Sequence, residues 1–248
     1  MPVSYESLAI AALLVAFAYF IFGVSGFGAA VVAVPALSHL WPMIFVLPLC
    51  VLLDLAAALA LGMSFGKEAK RDELVRMVPL SLIGAICGLT LLVTLPRGLA
   101  MGSLGVVAIA YGLWTLRQPG VMRPVSRGWA MPAGFAGGLS GTLFGVGGPP
   151  YMIYLSRRLE DKGALRSTMV TMVTFSVAIR TTLFVITGLV LLDVLKVFGA
   201  LLPFAALGLW LGHRLHGRIS REQLGRFIAV LVMVSGVSLL WRVFAGTW

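Results

Sequence analysis

Residues 18–37 read AYFIFGVSGFGAAVVAVPAL, an apolar run that Gly26 and Gly28 interrupt in its middle. The run belongs to residues 7–53, which contain no charged side chain over 47 residues. A membrane-spanning helix needs about 20 consecutive apolar residues. Residues 7–53 therefore have the length of two apolar helices, and the glycines mark a helix end inside the apolar region.

A second break of the same kind lies 119 residues later. Residues 137–149 read GGLSGTLFGVGGP and lie within an uncharged run at 128–156. A Pro-x4-Gly-x3-Gly pattern also occurs twice, at Pro79, Gly84 and Gly88 and, 124 residues on, at Pro203, Gly208 and Gly212. These recurrences predict two duplicated membrane repeats, residues 1–120 and 121–248, within one compact membrane domain.

The composition indicates a lipid environment. Sixty per cent of the 248 residues are apolar and 11% are charged, against about 45–50% and about 25% in soluble domains. The chain is therefore predicted to be an all-α integral membrane protein with the lipid bilayer as its solvent. The net charge of +10 comes from basic residues scattered through short loops, which is where the positive-inside rule places them. Nucleic acid is not an expected partner.

Catalytic signatures are missing from the sequence. No Walker loop, HExxH or Gly-x-Ser-x-Gly motif occurs. Cys50 and Cys87 lie inside apolar stretches and match no metal or redox spacing. No enzymatic activity, metal or cofactor is predicted, and any transport is expected to be driven by gradients.

The basic residues of the loops separate two topologies. If each half crosses the membrane four times, the halves are parallel, and the loops carry eight basic residues on one side and nine on the other. If the glycine-interrupted segment of each half instead enters and leaves on one side, the loops carry fifteen basic residues on one side of the membrane and three on the other. The positive-inside rule requires such a bias. The predicted fold is therefore an inverted repeat of two halves, each a Gly-interrupted re-entrant hairpin plus three transmembrane helices.

This topology has two further consequences. The hairpin arms at 7–22, 29–40, 129–144 and 149–156 are each expected to be too short for a comfortable crossing. Both termini are predicted to lie on the non-cytoplasmic side, because the basic loops occupy the other one.

The two breaks are the predicted substrate site. Non-helical backbone is tolerated at membrane depth only where protein buries it or where it lines a polar cavity. Glycine allows close approach of a ligand and positive φ, and the helix that starts after each break offers free N–H groups to an anion. We expect the breaks to meet near mid-membrane. The predicted binding residues are Ser25, Gly26, Phe27 and Gly28 in the first break, and Ser140, Gly145, Val146, Gly147 and Gly148 in the second.

Helix packing is the alternative role for these glycines. The series Gly134, Gly138 and the series Gly137, Gly141, Gly145 have the small-xxx-small spacing of membrane helix contacts. For residues 134–141 packing is the favoured interpretation. For the breaks themselves substrate binding is favoured, with the hydroxyls of Ser25, Ser140 and Thr142 as added donors.

Two charged residues lie within apolar segments. Arg180 is near the middle of residues 167–192, and a charge there costs at least ~2.5 kcal/mol on insertion scales unless it has a partner or a polar cavity. It is a candidate to bind an anionic substrate. Asp54 is either the ion-pair partner of Arg180 or the carrier of a coupling proton.

The motifs resemble those of a known family. The segments FGVSGFG at 22–28, GGLSGTLFGVGGP at 137–149 and the paired Pro-x4-Gly-x3-Gly elements are similar to the signatures of the sulfite exporter TauE/SafE family. Ala29 and Ala30 stand in the first signature where glycine is common. The resemblance implies a multi-pass protein of a bacterial-type inner (plasma) membrane that carries sulfite, a sulfonate or a related organic anion.

The leading hypothesis is a gradient-driven secondary transporter of a small anion, with export favoured over import. A passive channel for the same anion is the alternative. An intramembrane enzyme has no nucleophile and base to support it, and a cation transporter would need more acidic residues than Asp54 within the membrane. No oligomeric state is predicted.

Overall fold

A computed structural model describes residues 5–25, 29–60, 68–117, 125–215 and 221–246. Within these ranges the chain is helical and contains no β-strand. The helices are α1 (Tyr5–Ser25), α2 (Ala29–Leu37), α3 (Met43–Ala60), α4 (Arg71–Thr94), α5 (Arg97–Arg117), α6 (Ala130–Phe144), α7 (Gly148–Arg158), α8 (Lys162–Ile186), α9 (Leu192–Leu215) and α10 (Arg221–Phe244). A short 3-10 helix, Arg127–Trp129, precedes α6.

Six of the described helices are long and apolar enough to cross a membrane: α1, α3, α4, α5, α8 and α9. The apolar part of α10, Ile228–Phe244, is shorter. The prediction of an all-α integral membrane protein is confirmed.

The length of α1 differs from the sequence estimate. The helix has 21 residues, or about 30 Å at 1.5 Å per residue, so the expectation of a short arm at 7–22 is wrong. The helix begins before the uncharged run because Glu6 in its first turn is favoured by the positive end of the helix dipole. The other arms are short: α2 has 9 residues, α6 has 15 and α7 has 11.

The chain forms two compact units that combine segments of both sequence halves. The first unit comprises Met1–Leu53, Thr94–Gln118 and Gly188–Trp248. The second unit comprises Asp54–Val93 and Pro119–Thr187.

In the first unit, glycines bring helix backbones into contact. A Cβ at Gly208 or Gly212 of α9 would overlap the backbone of Ala16 or Phe20 in α1. A Cβ at Gly105 of α5 would lie 2.9 Å from the carbonyl oxygen of Gly236 in α10. Close approach of this kind gives the van der Waals packing that helps to hold helices together in lipid, where no hydrophobic effect acts between them.

The second unit has an equivalent contact between α4 and α6. A Cβ at Gly84 would overlap the backbone of Phe135, and one at Gly138 would overlap the backbone of Ser81. Gly134 meets Met77 in the same way. The predicted packing role of the Gly134 and Gly138 series is confirmed.

The two Pro-x4-Gly-x3-Gly patterns therefore occupy equivalent places. The pattern on α9 packs against α1, the first arm before the N-terminal break, and the pattern on α4 packs against α6, the first arm before the C-terminal break. In both units the hairpin comes from one sequence half and the patterned helix from the other. This shared packing is what duplication of an ancestral half would produce, while the inverted orientation of the halves stays a prediction.

Candidate functional site

The second break is a tight turn between α6 and α7. Gly145 ends α6 with φ of 75°, a left-handed conformation that favours glycine. Its N–H donates to the carbonyl oxygen of Gly141 at 3.0 Å, and the N–H of Val146 donates to that of Ser140 at 3.2 Å. Gly147 then caps α7, whose first residue is Gly148. The predicted break is present. Of its three glycines, for which the sequence suggested positive φ, Gly145 takes it and Gly147 and Gly148 do not.

The two hydroxyls of α6 act within the hairpin. The Ser140 Oγ lies 2.7 Å from the carbonyl oxygen of Ala136 and 2.9 Å from that of Val146, and its single proton can be donated to either. The bond to Val146 connects the turn to α6. The buried Thr142 hydroxyl donates to the carbonyl oxygen of Gly138 at 2.9 Å. Donation from either hydroxyl to a ligand requires one of these bonds to open.

Gly147 and Gly148 have different surroundings. Gly147 is buried with φ of −83°, and a Cβ there would lie 2.8 Å from the Gly137 carbonyl oxygen. Residues other than glycine can adopt these backbone angles. Glycine is needed at this position because the two arms pack too closely for a Cβ. A Cβ at Gly148 would meet no atom within 4 Å. Gly148 therefore borders open space at this break.

The first turn of α7 has few backbone donors. Pro149 and Pro150 follow Gly148 and carry no N–H group. A helix start normally offers its unpaired N–H groups to an anion. Here two of these N–H groups are missing. An anion at Gly148 needs further positive charge from a side chain.

Arg180 supplies positive charge beside this turn. Arg180 is buried, with 6% of the residue exposed. Its Nη1 donates to the carbonyl oxygen of Gly141 at 2.9 Å, and its Nε donates to that of Ser176, one turn earlier in α8, at 3.3 Å. A Cβ placed on Gly141 would lie 3.7 Å from the Arg180 Cδ and 3.3 Å from the Gly147 Cα. The structure thus brings Arg180 to the second break, as the sequence interpretation requires.

The charge of Arg180 is met by carbonyl dipoles. Its hydrogen bonds within the described chain go to Gly141 and Ser176, and no ion pair between described residues involves it. The alternative pairing with Asp54, which lies half-buried in α3, is not among these contacts. Two carbonyl groups offset only part of the cost of a buried cation.

Three further polar residues extend the site, and sequence reasoning missed them. The Tyr151 hydroxyl of α7 lies 2.7 Å from the Ser81 Oγ and donates to the Ser176 Oγ at 3.4 Å. Ser81, Tyr151 and Ser176 are all buried. Together with Arg180 they form a buried polar cluster on α4, α7 and α8. Ser176 could have been found from the sequence, because it precedes Arg180 by one helical turn. Ser81 and Tyr151 lie on other helices, and only the tertiary fold brings them to Ser176.

The first break is not covered by this geometry. Gly26, Phe27 and Gly28 lie outside the described residues, as does the side chain of Ser25, the last residue of α1. Among the described residues no group of three or more His, Cys, Asp or Glu side chains is placed to hold a metal ion.

Comparison with known proteins identifies the family. The family model described as "Sulfite exporter TauE/SafE" matches residues 11–239, a range that includes both breaks and the buried polar cluster. A protein of Comamonas testosteroni described as "Probable inner membrane transporter protein TsaS" is 32% identical over 205 residues, covering 78% of this chain and 83% of the relative. No solved structure matches the chain. The chain belongs to the sulfite exporter TauE/SafE family of membrane transporters.

Proposed function

We propose that this membrane transporter exports a small anion, sulfite or an organosulfonate, in a secondary process coupled to protons or another gradient. The observation that carries the proposal is the buried Arg180 at the α6–α7 turn, whose charge is met only by carbonyl oxygens in the described chain. The family name and the relative support transport of this class.

The proposed site uses three kinds of contact. The Arg180 guanidinium is a planar fork whose geometry matches that of an oxyanion. Gly148 offers its N–H group and open space for the ligand to approach. Gly145, Val146, Gly147 and Ser140 shape the turn, and Tyr151 fixes the turn against α4 and α8 through its hydroxyl.

The sequence repeat extends the proposal to the first half. Ser25, Gly26, Phe27 and Gly28 correspond to the second break and are proposed to bind substrate as well. In transporters built from inverted repeats, paired discontinuous helices commonly form the substrate site.

Replacing Gly148 by alanine tests whether the ligand approaches this turn. The added methyl group meets no protein atom within 4 Å, so the fold should be retained. We expect sulfite to bind to the purified variant at least about tenfold more weakly, because the methyl group displaces the ligand from its charge-assisted hydrogen bonds.

The matched control is Gly199→Ala in α9, where a Cβ also meets nothing within 4 Å. Its sulfite affinity should equal that of the parent. Equal affinity of Gly148→Ala and the parent would place the ligand elsewhere.

Asp54 is proposed as the carrier of the coupling proton. In that role Asp54→Asn should fold and bind sulfite normally but lose pH-driven flux in proteoliposomes, because asparagine cannot take up the proton. Asp193→Asn at the exposed start of α9 is the control and should transport normally. Normal pH-driven flux in Asp54→Asn would remove Asp54 from the coupling mechanism.

We further propose that both termini face away from the cytoplasm. The basis is the fifteen-to-three division of basic residues between the two sets of loops. A C-terminal reporter that is active only in the cytoplasm should be silent, while the same reporter inserted in the loop at 117–127 should be active. A strong C-terminal signal contradicts the inverted topology.

A further inference from the structure

The second unit contains a basic cavity at the base of the α6–α7 hairpin. Its volume is about 550 Å³, within the roughly 300–1,000 Å³ of small-molecule sites. It lies where α4 begins and α7 ends, and residues before α6 complete it. Its lining residues are Ala69, Lys70, Arg71, Asp72, Glu73, Arg127, Arg158 and Leu159. Four of these eight residues are basic, which makes the cavity a candidate for anion binding.

Glu73 and Arg158 give one wall of this cavity a fixed geometry. The Glu73 side chain is buried, accepts a hydrogen bond from the Tyr154 hydroxyl, and pairs with Arg158 at 3.3 Å between Oε1 and Nε. The Arg158 side chain is 30% exposed, and within the described chain its hydrogen bond to Glu73 uses the Nε group alone. The pairing neutralises Glu73 and holds the guanidinium in place.

Lys70 is held in position through its backbone. Its N–H donates to the buried Thr168 Oγ1 at 3.0 Å, and the Thr168 hydroxyl donates to the Ala164 carbonyl oxygen at 2.7 Å. The segment that carries Lys70 and Arg71 is thereby attached to α8. The positive wall of the cavity is part of the folded unit.

The charges in the cavity are unbalanced. With Glu73 paired to Arg158, Asp72 is the remaining lining carboxylate opposite Lys70, Arg71 and Arg127. Within the described part of the chain no ion pair involves any of these three cations. The side chains are exposed, and the accumulated positive potential favours an anion in the cavity.

An apolar layer separates the cavity from the buried polar cluster. Glu73 at the cavity and Ser81 in the cluster are eight residues apart on α4, or about 12 Å along the helix. Tyr154 and Tyr151 contact these two residues respectively. Between them lies a core formed by Leu74, Met77, Ala130, Leu155 and Met172 together with the two tyrosine rings. The cavity is therefore distinct from the site at Arg180.

We propose that this cavity is a second anion-binding site, which takes a ligand carrying a phosphate, sulfate or sulfonate group. Lys70, Arg71, Arg127 and Arg158 bind the oxyanion, with Arg158 oriented by Glu73. The oxyanion belongs either to a soluble anion or to the phosphate of an anionic lipid headgroup. The proposal does not depend on which substrate the transporter carries.

The test measures binding of inorganic phosphate to the full-length protein in nanodiscs of zwitterionic phosphatidylcholine. The combined variant Lys70→Gln, Arg127→Gln removes two exposed cations whose side chains take no part in the described hydrogen bonds, so its fold should be kept. We expect it to bind phosphate at least about tenfold more weakly than the parent. Arg166→Gln, an exposed position of α8 outside the cavity, should bind as the parent does.

A second arm distinguishes the source of the oxyanion. Nanodiscs that contain phosphatidylglycerol should abolish phosphate binding if the lipid headgroup occupies the cavity, and leave it unchanged if the ligand is soluble. Arg180→Ala should retain phosphate binding at the cavity, which separates this result from failure of the transport proposal. The inference is overturned if the parent binds no phosphate in zwitterionic nanodiscs, or if the combined variant binds it as strongly as Arg166→Gln.

Discussion

Replacing Arg180 by alanine is expected to weaken sulfite binding by roughly 30-fold or more, which corresponds to about 2 kcal/mol for loss of a buried charged partner. The fold should survive the change. The Gly141 carbonyl oxygen keeps its hydrogen bond from the Gly145 N–H, and the Ser176 carbonyl oxygen keeps its bond within α8. Arg180→Lys should recover only part of the affinity, because an ammonium group cannot reproduce the guanidinium fork.

The matched control for this variant is Arg242→Ala. Arg242 also donates to a backbone carbonyl oxygen, that of His39 at 3.0 Å, but it lies in the first unit. Calorimetric titration of the purified, monodisperse proteins with sulfite compares the two. Equal losses in both variants would show a general effect on the fold, and no loss in Arg180→Ala would remove Arg180 from the site.

Gly208→Val should prevent correct assembly of α1 with α9. A Cβ at Gly208 overlaps the backbone carbonyl group of Ala16, and backbone atoms cannot move aside as a flexible side chain can. Overpacking of side chains alone commonly costs about 1–3 kcal/mol, so a larger cost is expected here. We expect little monodisperse protein after solubilisation and a markedly lower melting temperature for what remains.

Gly199→Val on the same helix is the control for this substitution. It introduces the same β-branched residue into α9, but its Cβ meets no atom within 4 Å. Size-exclusion chromatography and thermal unfolding of the two variants give the comparison. If both behave alike, α1 and α9 do not pack through Gly208.

Much of the fold could be predicted because lipid restricts the chain strongly. Long uncharged apolar runs are typical of membrane-spanning helices, and polar backbone groups in a membrane must be satisfied within helices. The Gly134 and Gly138 spacing also has a direct steric meaning, which the contacts with Met77 and Ser81 confirm. The start of the uncharged run does not mark the start of α1, because Glu6 is compatible with a first helical turn.

The site was only partly predictable. Arg180 stands out in sequence because a charge in an apolar run needs a partner or a polar cavity. Gly145, Gly147 and Gly148 look alike in sequence, yet one takes a left-handed turn, one allows close packing and one borders open space. These differences depend on the backbone conformation of the turn and on the atoms that the fold places around each glycine. Tyr151 and Ser81 belong to helices distant in sequence, so only tertiary packing reveals their hydrogen bond.

The most direct test of the transport proposal is sulfite flux in proteoliposomes under an imposed pH gradient, measured for the parent, Arg180→Ala and Arg242→Ala. We predict saturable, gradient-dependent flux in the parent and in Arg242→Ala, and its loss in Arg180→Ala. Flux that rises linearly with sulfite concentration and does not change with the imposed pH gradient would indicate a passive channel. Flux of equal size in Arg180→Ala and the parent would contradict a substrate site at the buried arginine.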